Sequence, residues 1–236
     1  MARWGRSRPL TRVVKDPLFV LGAPRSGASR VARALALPPD AVLAPGSGRV
    51  SEFDAGLLRE HLAGLARTAG ASTVVSTWSG HDRRVEALDA TFPECRFVVM
   101  SRDWRAAARS LAAADWWPDT DLWWYGGTPR DWEQCGGDPL ELAARHWMRE
   151  VDAIEAGLAA VPPQRVHRVS HEDLVRAPVD RLRETAVFGG MSDDPGWRAE
   201  LAHVQFPDGN PAQRSVLDGR VELTQEWTTQ SLGHPA

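Results

Sequence analysis

The chain has 236 residues, of which 43% are hydrophobic and 25% charged, enough to bury a sizeable core and within the range of one α/β domain. Its net charge of −3 provides no global basic field to draw it onto nucleic acid or anionic lipid, so neither partner is expected and any anion must be held locally. Lys15 is the sole lysine; the nearly all-arginine positive charge suits forked recognition of oxyanions and follows equally from GC-rich coding.

Behind a basic N-terminal tail, residues 17–22 read as a strand and 27–37 as a helix with Val31, Ala34 and Leu35 on one face, stopped by Pro38 and Pro39. A Gly/Pro/Ser loop leads to Ser51, expected to open a helix with Leu57, Leu58, Leu62 and Leu65 in phase that ends near Gly70. Residues 72–77 form the next predicted strand, His81 to Thr91 a helix, Cys95 to Ser101 a continuous apolar strand and Asp103 to Ala114 a further helix. The segment at about 115–138 is rich in Trp, Gly, Asp and Pro without a sustained period, and reads as an insertion or lid. A long helix at about 139–160, with Trp147 and Met148 in core phase, a strand at 165–170 and a helix from His171 to about Phe188 follow; from about 203 the tail is unassigned. Strict alternation of strand and helix predicts a single three-layer α/β/α domain on a parallel sheet, with ligands at the carboxyl edge of the strands.

Cys95 and Cys135 make neither a disulfide framework nor a metal-ligand set, which suits a reducing cytoplasm. Residues 1–15 carry arginines without an apolar run behind them, and no stretch approaches the roughly 20 apolar residues of a membrane span. The expectation is a soluble, cytoplasmic, unexported protein.

Two segments carry chemistry. The run Leu18 to Ser29 empties an apolar strand into a Gly/Ser turn that opens an Ala-rich helix, the layout of a phosphate-binding loop. Gly22, Gly27 and Ser29 keep the spacing of the nucleoside-triphosphatase loop G-x-x-x-x-G-K-[ST], but Ala28 stands where its lysine would be and Arg25 supplies positive charge from inside the turn. The amides of Ser26 to Ser29, with Arg25 and Arg30 close by, can hold an anionic group; the plainer alternative is a turn that merely joins strand to helix. The second segment delivers Arg102 from a buried strand to the same edge, either as a second anion site or as half of an Arg–Asp pair capping a helix.

Together these segments resemble the sulfotransferases that use 3′-phosphoadenosine 5′-phosphosulfate (PAPS), in their bacterial small-molecule type. The loop Pro24-Arg25-Ser26-Gly27-Ala28-Ser29 matches the family element that grips the 5′-phosphosulfate. Arg102 and Ser110, eight positions apart, match the pair that holds the 3′-phosphate. A third block, Arg165 to Pro178, resembles the late strand and Tyr-Glu-Asp-Leu element, and the likeness runs over roughly residues 17–191. It implies a phosphate-loop α/β fold, PAPS as co-substrate with no metal, and cofactor contacts from Arg25, Ser26, Gly27, Ala28, Ser29, Arg30, Arg102 and Ser110. The chain departs from the family at four points: Ala28 replaces a threonine, His171 a tyrosine and Trp104 a proline, and Val75-Ser76-Thr77-Trp78 lacks the lysine many relatives carry.

On this resemblance Arg25 neutralises charge developing on the leaving 5′-phosphate, in the place of a bridging Mg²⁺. Transfer to a hydroxyl also needs a base. Glu52, beside Ser51 in a pair that bacterial relatives often carry, is the first candidate; its structural alternative is an acid at a helix start. His81, with an intrinsic pKa suited to the task, is the second, and Asp54 and His61 are weaker. Trp116, Trp117, Trp123, Trp124, Tyr125 and Trp132, set among Asp115, Asp119 and Asp121, suit a small neutral or cationic hydroxylated acceptor such as a sugar, a phenol or a secondary metabolite; part of this set is equally able to pin a long loop to the sheet. Two alternatives stay open: a nucleotide kinase or other NTPase, against which the absent lysine counts, and a non-catalytic binding protein with the same fold.

Overall fold

A computed structural model describes residues 16–44, 54–114, 136–191 and 195–206. Five short strands form one sheet: β1 (Leu18–Leu21), β2 (Ala41–Ala44), β3 (Thr73–Ser76), β4 (Arg96–Ser101) and β5 (Val166–Ser170). Their order is β2-β3-β1-β4-β5 and every pairing is parallel, with Leu18 opposite both Val75 and Arg96. All carboxyl ends therefore lie on one edge.

The alternation of side chains along β1 builds two cores. Leu18 and Val20 face one side, packed with Val31 and Leu35 of α1 (Ala28–Leu35) and with Leu174, Leu182 and Trp197 from later helices. Phe19 and Leu21 face the other, against Leu62 and Ala66 of α2 (Ala55–Ala69), Val85 and Leu88 of α3 (Val85–Thr91), and Ile154 and Leu158 of α5 (Pro139–Leu158). All four residues of β1 are buried, as a parallel strand covered on both faces requires. Helix α4 (Trp104–Ala112) packs Ala108 and Leu111 against Leu140, Ala143 and Ala144 of α5. This is the three-layer α/β/α architecture expected from the alternation.

Several boundaries moved for identifiable reasons. The four apolar residues 41–44 pair with β3 as an edge strand where a loop was expected, because a short run after Pro-Pro carries too few residues for a periodic signal. Helix α2 begins at Ala55, capped by Asp54, whose Oδ1 accepts the Leu57 amide at 2.9 Å; Ser51 lies outside the described residues. Leu57 is 66% exposed, and the buried stripe of α2 is Leu62 and Ala66. Residues 79–81 form a 3₁₀ turn rather than the start of α3.

The helix expected from His171 to Phe188 is two, α6 (His171–Arg176) and α7 (Pro178–Phe188), since the ring of Pro178 drives Ala177 out of the helical region. A short α8 (Pro195–Leu201) was not anticipated; it docks by Trp197, which is buried and whose indole N–H donates to the Ala34 carbonyl at 3.2 Å. Met148 is buried and Trp147 partly so, in keeping with their helical phase. Among the described residues no helix is long and apolar enough to cross a membrane. The Trp-rich residues at 115–135, Cys135 and the tail beyond 206 lie outside the described residues.

Candidate active site at the carboxyl edge of the sheet

The turn after β1 is shaped by its glycines and by one strained residue. A Cβ on Gly22 would lie 2.4 Å from Ser26 Oγ and 2.8 Å from Met100 Cβ, so only glycine lets the turn close onto β4. The Ser26 amide donates to the Ala23 carbonyl at 3.0 Å, tightening the turn. Arg25 has φ +69°, the sole positive φ on a non-glycine residue among the described residues, a strain of about 1–3 kcal/mol held in the turn. Gly27, at φ +99°, is the N-cap of α1, and the first turn of this helix has neither a side-chain cap nor an acidic residue. That leaves the positive end of the helix and its first amides available to an anion.

The side chains of the loop divide. Arg25 is exposed, and its Nε donates to Ser110 Oγ at 2.9 Å, across 85 positions of sequence. Arg102 returns the contact, its Nη1 donating to the Arg25 carbonyl at 2.8 Å. The two segments that sequence reading treated as separate anion sites thus meet on one residue. Asp103 caps α4, accepting the Ala106 amide at 2.9 Å, so the capping role belongs to the aspartate while the arginine reaches the loop.

Ser26 is buried, its hydroxyl making no hydrogen bond among the described residues and its amide closing the turn onto Ala23. Ala28 and Ser29 lie at the start of α1, Ser29 exposed. Arg30 turns toward the segment after α8: its Nη1 donates to the Gln205 carbonyl and its guanidinium sits 6.0 Å from the centre of the Phe206 ring.

Segments after β3 and β5 also close around this turn. His171 opens α6 after β5, with Nδ1 3.1 Å from where a Cβ on Gly27 would stand. Glu172, next to it, accepts the Asp103 amide at 2.9 Å. From the β3 side, Asp82 is buried, and its Oδ1 accepts the Gly22 amide at 3.1 Å. Sequence reading missed both acids. Nothing in a lone Asp after a strand distinguishes it, and Glu172 was noted only as part of a matching block.

His81 is 2% exposed, its Nε2 2.9 Å from Ser76 Oγ and its ring edge-on to Phe19 and Trp78. Burial, and then the charge of Arg84, push its pKa down to about 3, so the imidazole is neutral near pH 7 but weakly basic. Glu52 lies outside the described residues. Asp54 engages its carboxylate in the cap of α2, and His61 is exposed on the same helix. The arrangement offers loop amides at a helix start, with Arg25 joined through its side chain to the Ser110 hydroxyl and through its carbonyl to Arg102.

A family model described as the sulfotransferase family matches residues 67–195, more than half of the chain. The match includes Arg102, Ser110 and the block from Arg165 to Pro178, and begins after the first loop. The sulfotransferase domain from the curacin biosynthetic pathway superposes with a TM-score of 0.61 at 15% identity, over 87% of this chain and 83% of that one. The sulfotransferase domain of the Synechococcus PCC 7002 olefin synthase gives 0.61 at 18% identity, over 95% and 97%. STF9 from Mycobacterium avium gives 0.59 at 16% identity, over 89% and 77%. At such identities these likenesses speak to the fold alone. No curated protein matches the chain. The matched span and the architecture together place this chain in the sulfotransferase family.

Proposed function

We propose that the chain moves a sulfuryl group from PAPS to a hydroxyl of a small acceptor. The observation that carries this reading is the convergence on Arg25: its carbonyl takes Arg102 and its side chain takes Ser110, so the cradle for one anionic group adjoins a second site of matching chemistry. A donor carrying both a 5′-phosphosulfate and a 3′-phosphate satisfies the two sites together. Loop amides from Ser26 to Ser29 hold the 5′ side, and Arg102 and Ser110 hold the 3′ side.

PAPS supplies a sulfuryl group activated by a 5′-phosphate leaving group. Arg25 is the residue we assign to the negative charge that builds on that phosphate as the S–O bond breaks. Ala28 contributes only its amide where a threonine would add a hydroxyl, so the loop relies on backbone donors and Ser29. Glu52 is our candidate for the base that takes the acceptor's proton, with His81 second because burial and Arg84 make it a weak base. Glu52→Gln is expected to lower sulfuryl transfer by about 10²-fold or more while His81→Ala changes it less; full activity in Glu52→Gln with loss in His81→Ala reverses the assignment.

The acceptor reading rests on the Trp-rich residues at about 115–138, whose aromatic and acidic composition suits a small neutral or cationic hydroxylated molecule in the cytoplasm. The test is isothermal titration with 3′-phosphoadenosine 5′-phosphate (PAP) against ATP with Mg²⁺, followed by labelled PAPS with panels of sugars, phenols and other alcohols. PAP binding and label on a product are expected. ATP/Mg²⁺ binding without PAP binding would make the chain a nucleotide kinase or NTPase, and binding of neither would make it a non-catalytic relative.

A further inference from the structure

Asp82 is a buried carboxyl, 3% exposed, for which the proposed reaction provides no role. It follows His81 after β3, and its Oδ1 receives the Gly22 amide across 60 positions of sequence. Gly22 is also closely packed, with Ser26 Oγ and Met100 leaving no space for a Cβ. The first peptide of the loop is therefore clamped between close packing and one hydrogen bond. Behind Asp82 stands Glu150 of α5, which accepts two hydrogen bonds from Arg83 at 2.9 and 2.6 Å, and α5 packs against α4, the helix that carries Ser110.

We propose that Asp82 is a positioning residue for the phosphate loop, its carboxyl oxygen fixing the Gly22 amide and so setting where Arg25 and the amides of Ser26 to Ser29 lie. The proposal rests on the reading that this loop takes the 5′-phosphosulfate.

A carboxylate behind an anion cradle would oppose the ligand. Burial and then the charge of Glu150 raise the Asp82 pKa well above the carboxylate range, against the opposing Gly22 hydrogen bond and Arg83. The ionisable groups around it are Glu150 and its neighbour His146 on α5, and His81 and Arg83 on its own segment. His146, like His81, is pushed down to about 3 and is neutral, and Glu150 is itself raised by burial. In its protonated form Asp82 accepts from Gly22 through its carbonyl oxygen without adding negative charge. As pH rises through its raised pKa it ionises, and affinity for an anionic ligand falls.

The test compares the wild type with D82N and D82A, measuring PAP affinity from neutral to alkaline pH, the Gly22 amide in NMR spectra, and the thermal midpoint. D82A is expected to weaken PAP binding about tenfold, the size of one lost hydrogen bond, and to shift the Gly22 amide. D82N, whose amide oxygen still accepts, restores the affinity and removes the alkaline fall. Wild-type PAP affinity in D82A, an unmoved Gly22 amide, or a D82N profile that keeps the alkaline fall would each overturn the proposal. Should D82A not fold, the D82N profile alone decides. Failure of the wild type to bind PAP sinks the donor reading instead, and the Gly22 amide still reports on Asp82.

Discussion

Arg25→Ala is expected to lower the rate of sulfuryl transfer from labelled PAPS by about 10²–10³-fold, the usual cost of removing one preorganised donor from developing charge. The guanidinium is exposed at the loop and already oriented, its Nε on Ser110 and its backbone held by Arg102, and the proposed role requires that it be in place before charge develops. Because Arg25 occupies the left-handed region, alanine removes the guanidinium but keeps the Cβ, and with it the strain of the turn. Arg25→Gly separates the two effects, since glycine adopts this φ freely: the rate is expected to stay low although the strain is gone. Arg25→Lys keeps charge but not the fork, and should recover only part of the rate. Turnover close to wild type in both Arg25→Ala and Arg25→Gly would remove Arg25 from the mechanism.

Arg102→Ala is expected to weaken PAP by about ten- to hundredfold while weakening adenosine 5′-phosphate, which lacks the 3′-phosphate, much less. A hydrogen bond to a charged group contributes about 1.5–3 kcal/mol, and each 1.4 kcal/mol is tenfold in affinity. The small loss expected with adenosine 5′-phosphate comes from the Arg25 carbonyl, which Arg102 holds at 2.8 Å. Ser110→Ala should move the same ratio in the same direction, since its hydroxyl is assigned to the 3′-phosphate, with a smaller common loss from its bond to Arg25. Titration of both nucleotides into each variant measures the ratio. Equal losses for the two nucleotides would make Arg102 a support for the loop with no part in 3′-phosphate recognition.

Much of the candidate site's geometry was legible because its parts are local. The eight-residue spacing of Arg102 and Ser110 crosses the end of β4 and two turns of α4, so strand and helix periodicity suffice to put both near one edge. The Gly22 and Gly27 spacing is legible for a similar reason, since turn sterics act over a few residues. Arg30 shows the limit of local reading: it stands one turn into α1, and the segment after α8 draws it to Gln205 and Phe206. His81 shows another. Its sequence neighbours do not reveal that Phe19 and Trp78 enclose its ring, and that enclosure lowers its basicity.

By itself the sequence determined the alternation of strand and helix, the burial of β1 and β4, the shape of the first turn and the spacing of the second arginine and serine. These depend on steric and apolar patterns among near neighbours. The tertiary structure alone decided the strand order β2-β3-β1-β4-β5, the edge strand β2, and the contacts of Gly22 with Asp82 and of Arg25 with Ser110. The last two join residues 60 and 85 positions apart, and such pairs form only once parallel pairing brings every carboxyl end to one edge.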